Sequence, residues 1–85
     1  MAAVTIYTKP FCPYCVQALG LLERKGAEVT EIEAAFDANL RAEMLQKSGG
    51  AATYPQIFIG DRHVGGCDDL HDLEAQGRLD TLLAG

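Results

Sequence analysis

The sequence has few basic residues, and this deficit argues against one class of partner. Its 85 residues include seven Lys and Arg against twelve Asp and Glu, which gives a net charge of −5. A domain that neutralises phosphate groups would be basic. Nucleic acid is therefore not an expected partner.

Long apolar runs are also absent. No stretch approaches the roughly 18 apolar residues that a membrane span requires. The first ten residues, MAAVTIYTKP, lack a basic region followed by an apolar segment, as a signal peptide would have. We therefore expect a cytoplasmic protein with no membrane association. The chain length and its 48% hydrophobic content suit one folded domain over residues 1–85.

Cysteine is scarce, and its number narrows the chemistry. Cys12, Cys15 and Cys67 are too few, and odd in number, for a disulfide scaffold. A lasting structural disulfide is also disfavoured in a reducing compartment. Zinc needs about four ligands at close spacing, and beyond the single C-x-x-C the chain offers only Cys67, His63 and His71. We expect no metal site, and we expect both histidines to lie on the surface.

The periodicity of apolar residues predicts the element order β-α-β-α-β-β-α. Strands are predicted over residues 3–8, 27–33 and 55–60 and from residue 63, and helices over 13–25 and from a cap at Asp37 to about residue 48, with one or two short helices in the remainder. A strand–helix–strand opening implies a right-handed crossover and parallel pairing, whereas the later hairpin adds antiparallel strands. We therefore expect an α/β fold with a mixed sheet flanked by helices.

The C-x-x-C pair lies where the first strand gives way to the first helix. A thiolate is the nucleophile in thiol chemistry, and the unpaired N–H groups at a helix start stabilise its negative charge. Cys12 precedes Pro13, so we expect its sulfur to be exposed and to receive these N–H groups, with Lys9 adding positive charge. Cys15 falls on the apolar stripe of the helix and should be more buried and less reactive. This placement favours a redox-active dithiol over half of a zinc site or a structural disulfide.

Three motifs, CPYC at 12–15, TYPQIFIG at 53–60 and GGCDDL at 65–70, resemble the signatures of the glutaredoxins, specifically the small bacterial dithiol members of the glutaredoxin-3 type. The resemblance spans essentially the whole chain. It implies a thioredoxin fold with a four-stranded mixed sheet, a cis proline at Pro55, glutathione as cosubstrate and no tightly bound cofactor. CPYC differs from the CGPC of thioredoxins and the CGFS of monothiol glutaredoxins.

The resemblance also implies roles for residues at matching positions. Cys12 would be the nucleophile and Cys15 the resolving thiol. Contacts with glutathione are implied for Lys9, Tyr14, Thr53, Tyr54, Pro55, Gly66, Cys67 and Asp68. Lys9 would lie near the glycine carboxylate, and Tyr54 would offer its backbone N–H and C=O. Asp68 would meet the γ-glutamyl end at a helix start, where N–H groups bind carboxylates. For Cys67 we expect backbone contacts rather than a reactive thiol.

Two positions depart from the family pattern. Tyr54 stands where valine is usual, so we expect a bulky phenol on the floor of the glutathione groove that narrows or reshapes access. Residues 48–53, SGGAAT, carry no long polar side chain where many relatives have Arg or Gln. We therefore expect the glycine end of glutathione to be held less firmly, unless Gln46 or Lys47 compensates.

The implied function is glutathione-dependent thiol–disulfide exchange that reduces glutathionylated proteins and protein disulfides, carried out by a monomer. The rival from another class is a [2Fe–2S] cluster carrier, in which a dimer and two glutathiones hold the cluster through thiolates. Family experience links that role to CGFS, and the proline after the first cysteine disfavours it. A thioredoxin-like reductase that takes electrons from a flavoprotein is disfavoured by the absence of WCGPC.

Overall fold

The computed structural model describes residues 2–85, which form four strands and four helices. In chain order these are β1 (Ala3–Thr8), α1 (Pro13–Arg24), β2 (Glu28–Glu33), α2 (Ala38–Lys47), β3 (Gln56–Ile59), β4 (Arg62–Gly65), α3 (Cys67–Ala75) and α4 (Leu79–Ala84). The predicted element order is confirmed, and the C-terminal part contains two short helices. Within residues 2–85, no helix is both long and apolar enough to cross a membrane.

The four strands form one mixed sheet in the order β2-β1-β3-β4. β1 pairs in parallel with β2 through the α1 crossover, and β3 pairs antiparallel with both β1 and β4. The short turn at Gly60 and Asp61 closes the β3–β4 hairpin, whose register is irregular between Ile57 and Phe58. The predicted four-stranded mixed sheet is therefore confirmed, with β2 and β4 at its edges.

Alternation along the strands divides the core between the two faces of the sheet, because successive side chains of a strand point to opposite sides. Val4 and Ile6 of β1 belong to the larger cluster, which packs against α1, α3 and α4. Its buried members are Val4, Ile6, Ala18, Leu21, Leu22, Ile57, Ile59, Cys67, Leu70, Leu79 and Leu83. Tyr7 belongs to the smaller cluster on the α2 side, whose buried members are Tyr7, Ala34, Met44 and Phe58.

The helix ends follow the local sequence signals. The Oδ1 atom of Asp37 accepts hydrogen bonds from the backbone N–H groups of Asn39 at 3.0 Å and Leu40 at 3.1 Å, which confirms the predicted cap of α2. Gly26 follows α1 with φ +69°, a left-handed conformation that glycine adopts without steric cost. Because β3 is antiparallel to both β1 and β4, the end of β1, the start of β3 and the end of β4 lie at the same end of the sheet. The start of α1, the chain before β3 and the start of α3 therefore meet there.

Candidate functional site

Cys12 is the N-cap residue of α1, and its sulfur accepts a hydrogen bond from the backbone N–H of Cys15 at 3.2 Å. Pro13 occupies the first turn, where a missing N–H leaves no partner unsatisfied. The expectation that a helix-start N–H reaches Cys12 is confirmed. The expectation of an exposed sulfur is wrong, since Cys12 is 4% exposed. The capping geometry explains this, because the side chain turns back over the first turn of the helix.

Cys15 lies in the first turn of α1, on the buried face of the helix, and is 3% exposed. Burial, followed by a hydrogen bond with Cys12, raises the pKa of Cys15 to about 12, although a backbone hydrogen bond at Lys9 acts in the opposite direction. The reduced Cys15 is therefore a protonated thiol at neutral pH. All three cysteines of the chain are free thiols in this structure.

A groove of about 370 Å³, here called the main groove, runs from the start of α1 to the start of α3. Its lining residues are Tyr14, Ala51, Thr53, Tyr54, Pro55, Gln56, His63, Gly65, Gly66, Cys67, Asp68 and Asp69. Seven of the eight residues predicted to contact glutathione are among them. The peptide bond between Tyr54 and Pro55 is cis, as the family resemblance implied.

A second depression of about 430 Å³, here called the second groove, adjoins the start of α1. It is lined by Lys9, Pro10, Phe11, Cys12, Pro13, Cys15, Val16, Leu19, Glu31 and Glu33. The structure thus separates Lys9 from the other seven predicted contacts and places it beside the two cysteines. Cys12 and Cys15 both line the second groove and are not among the residues lining the main groove, to which the C-x-x-C segment contributes only Tyr14.

The start of α3 holds its two acidic residues differently. The Oδ2 atom of Asp69 accepts a hydrogen bond from the backbone N–H of Gly66 at 2.9 Å, so Asp69 caps the helix. Asp68 is exposed and lines the main groove. Gly65 has φ +116°, and a Cβ atom there would collide with the Asp69 carboxylate. This part of the groove therefore combines helix N–H groups with one free carboxylate.

The sequence did not predict a hydrogen-bond network among three residues that line the main groove, Thr53, Gln56 and His63. Gln56 is 3% exposed, and its Nε2 donates to the carbonyl oxygen of Thr53 at 2.9 Å and to the Thr53 hydroxyl at 3.0 Å. Because that amide nitrogen donates, Oε1 of Gln56 is the acceptor for Nε2–H of His63 at 2.7 Å. The His63 ring also stacks on Phe58 at a centroid distance of 4.9 Å. The available signal was the one polar residue in the otherwise apolar strand QIFI, whose four residues are all buried.

The Tyr54 side chain has contacts on the core side of the groove. Tyr54 lines the main groove and also packs against the smaller core cluster on the α2 side of the sheet. Its hydroxyl is buried, with no hydrogen-bond partner among the described residues. The effect of this phenol on access to the groove stays a prediction.

Cys67 begins α3 and is 5% exposed. Its sulfur lies 3.4 Å from Nδ1 of His71, which is 2.9 Å from the carbonyl oxygen of Cys67. Burial, and then the charges of Asp68 and Cys12, raises the pKa of Cys67, so it is a neutral thiol, in line with a mainly unreactive residue. His71 is half-buried against Cys67 rather than on the surface as expected, whereas His63 is exposed.

The donor groups of the site do not form an evident metal centre. Across residues 2–85, no group of three or more His, Cys, Asp and Glu side chains is arranged to hold a metal ion. The chemistry that the described residues support directly is that of two thiols, one at a helix cap and one buried beside it.

Comparison with known proteins gives one consistent family. Residues 4–64 match the family model described as Glutaredoxin. The chain is 54% identical over 84 residues to a glutaredoxin of Pseudomonas aeruginosa, with 99% of each chain covered. It is 52% identical over 83 residues to glutaredoxin 3 of Escherichia coli strain K12, covering 98% of this chain and 99% of the relative. Among solved structures, the buckwheat glutaredoxin–glutathione complex superposes with a TM-score of 0.86 at 30% identity, covering 98% of this chain and 77% of that one.

Proposed function

Because this chain belongs to the glutaredoxin family of thiol oxidoreductases and has their thioredoxin fold, we propose that it catalyses glutathione-dependent thiol–disulfide exchange through Cys12 and Cys15. The observation that carries this proposal is the position of the Cys12 sulfur, hydrogen-bonded to the Cys15 N–H at the start of α1. A thiolate at such a position is stabilised by the helix end. Tyr14, two residues after Cys12, lines the main groove, which has a volume of about 370 Å³.

The main groove is the proposed glutathione site. Support comes from the buckwheat relative, whose structure was solved as a glutathione complex. At the α3 end, helix N–H groups would bind the γ-glutamyl carboxylate, and Asp68 would accept from its ammonium group. Tyr54 would pair with the cysteinyl unit through its backbone, and Gly66 would allow close approach. Lys9, which lines the second groove beside Cys12, would attract the glycine carboxylate.

The first step would act on a protein–glutathione mixed disulfide. The Cys12 thiolate attacks the glutathione sulfur and forms a new S–S bond while the bond to the protein sulfur breaks. The protein leaves as a thiolate and takes a proton from water. The thiolate of a second glutathione then attacks the glutathione sulfur on Cys12, giving oxidised glutathione and restoring the Cys12 thiolate. Helix-end stabilisation of Cys12 assists its departure in this second step.

For a protein disulfide, Cys15 would act as the resolving thiol. Cys12 attacks one sulfur of the substrate disulfide and forms a mixed disulfide, while the other substrate sulfur leaves as a thiolate. Cys15 then loses its proton and attacks the Cys12 sulfur, which forms the Cys12–Cys15 bond and releases the remaining substrate sulfur as a thiol. Two glutathione molecules then reduce the Cys12–Cys15 bond and leave as oxidised glutathione. Two of the causes that raise the pKa of Cys15, a hydrogen bond with Cys12 and the Cys12 charge, vanish once Cys12 is part of a disulfide. Cys15 would thus be easier to deprotonate at the stage when it has to attack.

The test compares Cys12→Ser and Cys15→Ser with the unaltered protein in two coupled assays. With the mixed disulfide of glutathione and 2-mercaptoethanol, Cys15→Ser should retain turnover, whereas Cys12→Ser should lose it. With a protein disulfide such as insulin, both variants should be strongly impaired. Substantial turnover by Cys12→Ser would sink the proposal. A visible absorption band and acid-labile sulfide in anaerobically purified protein would instead favour the cluster-carrier alternative.

We also propose glutathionylated and disulfide-containing proteins as substrates, and the cytoplasm as the place of action. Glutaredoxin pairs have potentials of roughly −200 to −230 mV, so a cytosolic glutathione pool at about −220 to −260 mV can reduce them. We expect a monomer, which light scattering of the reduced protein would check.

A further inference from the structure

The second groove has no part assigned in the proposed reaction beyond the positions of Lys9 and the two cysteines. It has a volume of about 430 Å³ against 370 Å³ for the main groove, and both cysteines of the C-x-x-C pair line it. Its walls come from the segment before α1, the first two turns of α1 and the edge strand β2. A ligand there would lie directly beside the reacting sulfur.

One wall of the second groove is apolar and unusually exposed. Phe11, the residue before Cys12, is 102% exposed and has φ +56°, a left-handed conformation that bulky residues rarely adopt. Val16, 68% exposed, continues this wall along α1. A fully exposed aromatic ring in strained backbone contributes nothing to the core described above. Such features concentrate at binding sites.

The opposite wall is acidic. Glu31 and Glu33 of β2 both line the groove and are both exposed. The Oε2 atom of Glu31 accepts a hydrogen bond from the hydroxyl of the buried Thr8 at 2.8 Å, which restricts that carboxylate. Within residues 2–85, neither glutamate belongs to an ion pair. Lys9 is the one basic residue that lines the groove, against two glutamates, so the acidic residues outnumber the basic one. The acidic wall therefore favours a cationic ligand.

We propose that the second groove binds the polypeptide of the substrate protein, with an apolar side chain near the reacting cysteine packed on Phe11 and Val16 and a nearby Arg or Lys facing Glu31 and Glu33. This substrate class rests on the proposed function. In a glutathionylated protein, the γ-glutamyl and cysteinyl units of glutathione would lie in the main groove, and the glycine carboxylate would reach Lys9 at the edge of the second groove. The protein part would occupy the side of the second groove formed by Phe11, Val16, Glu31 and Glu33. The S–S bond would then lie next to Cys12.

The two carboxylates of the second groove distinguish a substrate polypeptide from two other possible occupants. Glutathione is an anion, so a second molecule of it in this groove would face two carboxylates. Another copy of this chain carries a net charge of −5 and would be repelled by the same wall. A basic segment of a substrate protein is the occupant that both the apolar and the acidic walls complement.

The test uses four glutathionylated peptides that differ only beside the cysteine. In each peptide, one residue near the glutathionylated cysteine is Leu or Gly and a second is Arg or Glu, which gives the four combinations. We expect the Leu/Arg peptide to have the highest kcat/KM, with the Arg peptides favoured over the Glu peptides by about tenfold at low ionic strength. This preference should shrink in 0.5 M salt, where charges on the surface are screened.

Variants assign the preference to the groove. The double variant Glu31→Gln/Glu33→Gln should bring the Arg-to-Glu ratio close to one, and Phe11→Ala should bring the Leu-to-Gly ratio close to one. Glu28→Gln is the matched control, because Glu28 is an exposed glutamate of the same strand that does not line the groove. It should leave both ratios unchanged.

The outcomes separate this inference from the proposed function. If the unaltered protein fails to turn over the mixed disulfide of glutathione and 2-mercaptoethanol, the proposed function itself fails. If it turns over that small substrate but treats all four peptides alike, the groove inference is overturned. If light scattering shows a dimer of the unaltered protein and a monomer of Phe11→Ala, the groove is a contact between two copies of the chain. That result would also overturn the groove inference.

Discussion

At the scale of single residues, exposure does not distinguish the two thiols of the C-x-x-C pair. Cys12 is 4% exposed and Cys15 is 3% exposed. Their hydrogen bonds distinguish them, because the Cys12 sulfur accepts a backbone N–H at the helix start. Cys15 instead lies among the buried residues of α1, where the charged form of a thiol is disfavoured. We propose that the division of labour between nucleophile and resolving thiol comes from the capping hydrogen bond of Cys12 and the raised pKa of Cys15.

This difference predicts slow alkylation of Cys15 in the reduced, folded protein. Burial raises the pKa of Cys15 from 9.0 to about 12, and only the thiolate reacts with iodoacetamide. At pH 8 its thiolate fraction should be about a thousandfold below that of an unfolded chain, and its labelling rate should fall accordingly. Mass spectrometry of each cysteine-containing peptide, with and without urea, measures both rates.

The control for this prediction is Cys12→Ser, which removes the Cys12 contributions and leaves burial as the main cause. Labelling of Cys15 should then become faster than in the unaltered protein but remain slower than in urea. Equal rates for Cys15 in folded and unfolded protein would contradict the assigned burial.

Side-chain direction at these positions was the part of the site that the sequence could not provide. The motif placed Cys12 at the helix start, but the turn of its sulfur toward the Cys15 N–H depends on a rotamer that only the folded cap determines. Tyr54 lines the main groove as predicted, but its packing on the smaller core cluster was not predicted. Both outcomes depend on neighbours distant in sequence or on local geometry that residue type does not encode.

At the scale of elements, the start of α3 depends on the backbone just before it. Gly65 ends β4 with φ +116°, and the Asp69 side chain occupies the space that a Cβ atom would need. The same Asp69 carboxylate accepts the Gly66 N–H. The glycine thus allows the capping carboxylate to sit close to the backbone, which fixes the direction in which α3 presents its first N–H groups to the main groove.

Gly65→Ala should therefore destabilise the protein by about 2–3 kcal/mol, through strained backbone and a displaced cap. Gly60→Ala is the matched control, since Gly60 has φ +59° but no atom within 4 Å of an added Cβ. Its cost should be about 1 kcal/mol, from the left-handed backbone alone. Urea unfolding of both variants measures the difference, and equal losses would show that the Asp69 collision is relieved without cost.

The order of elements was accessible from sequence because each has a strong local signal. Alternation in AVTIYT, the Asp37 cap and the apolar QIFI strand each predicted what the structure contains. The Gln56 network was not accessible, because His63 reaches Gln56 only after the β3–β4 hairpin forms. Local patterns predict elements, whereas contacts across a hairpin depend on register, which here is irregular.

At the scale of the whole molecule, one lysine next to α1 forms ion pairs with both C-terminal helices, α3 and α4. Nζ of Lys25, just after α1, lies 2.7 Å from a carboxylate oxygen of Glu74 in α3 and 3.1 Å from one of Asp80 in α4. The larger core cluster joins the same three helices to one face of the sheet. Because α1 and α3 each contribute an end to the site, cohesion of this layer determines the distance between Cys12 and the α3 end of the main groove.

Buried neutral thiols in this structure also predict how its overall stability depends on pH. Burial raises the pKa of Cys15 to about 12 and raises that of Cys67. Above about pH 9 the unfolded chain releases protons that the folded protein still holds, so the unfolded state binds fewer protons. The free energy of unfolding must then fall as pH rises, by about 1.4 kcal/mol per pH unit for each such group. For Cys15 this loss should extend from about pH 9 to about pH 12.

Urea unfolding of the reduced protein between pH 8.5 and 11 measures this dependence, with Cys15→Ser as the comparison. Titration of tyrosines and lysines contributes to both proteins alike, so the difference between their slopes isolates Cys15. The unaltered protein should lose stability more steeply than Cys15→Ser by about 1.4 kcal/mol per pH unit. Parallel curves would mean that Cys15 ionises as readily in the folded protein as in the unfolded chain, which would remove the physical basis for its proposed role as the resolving thiol.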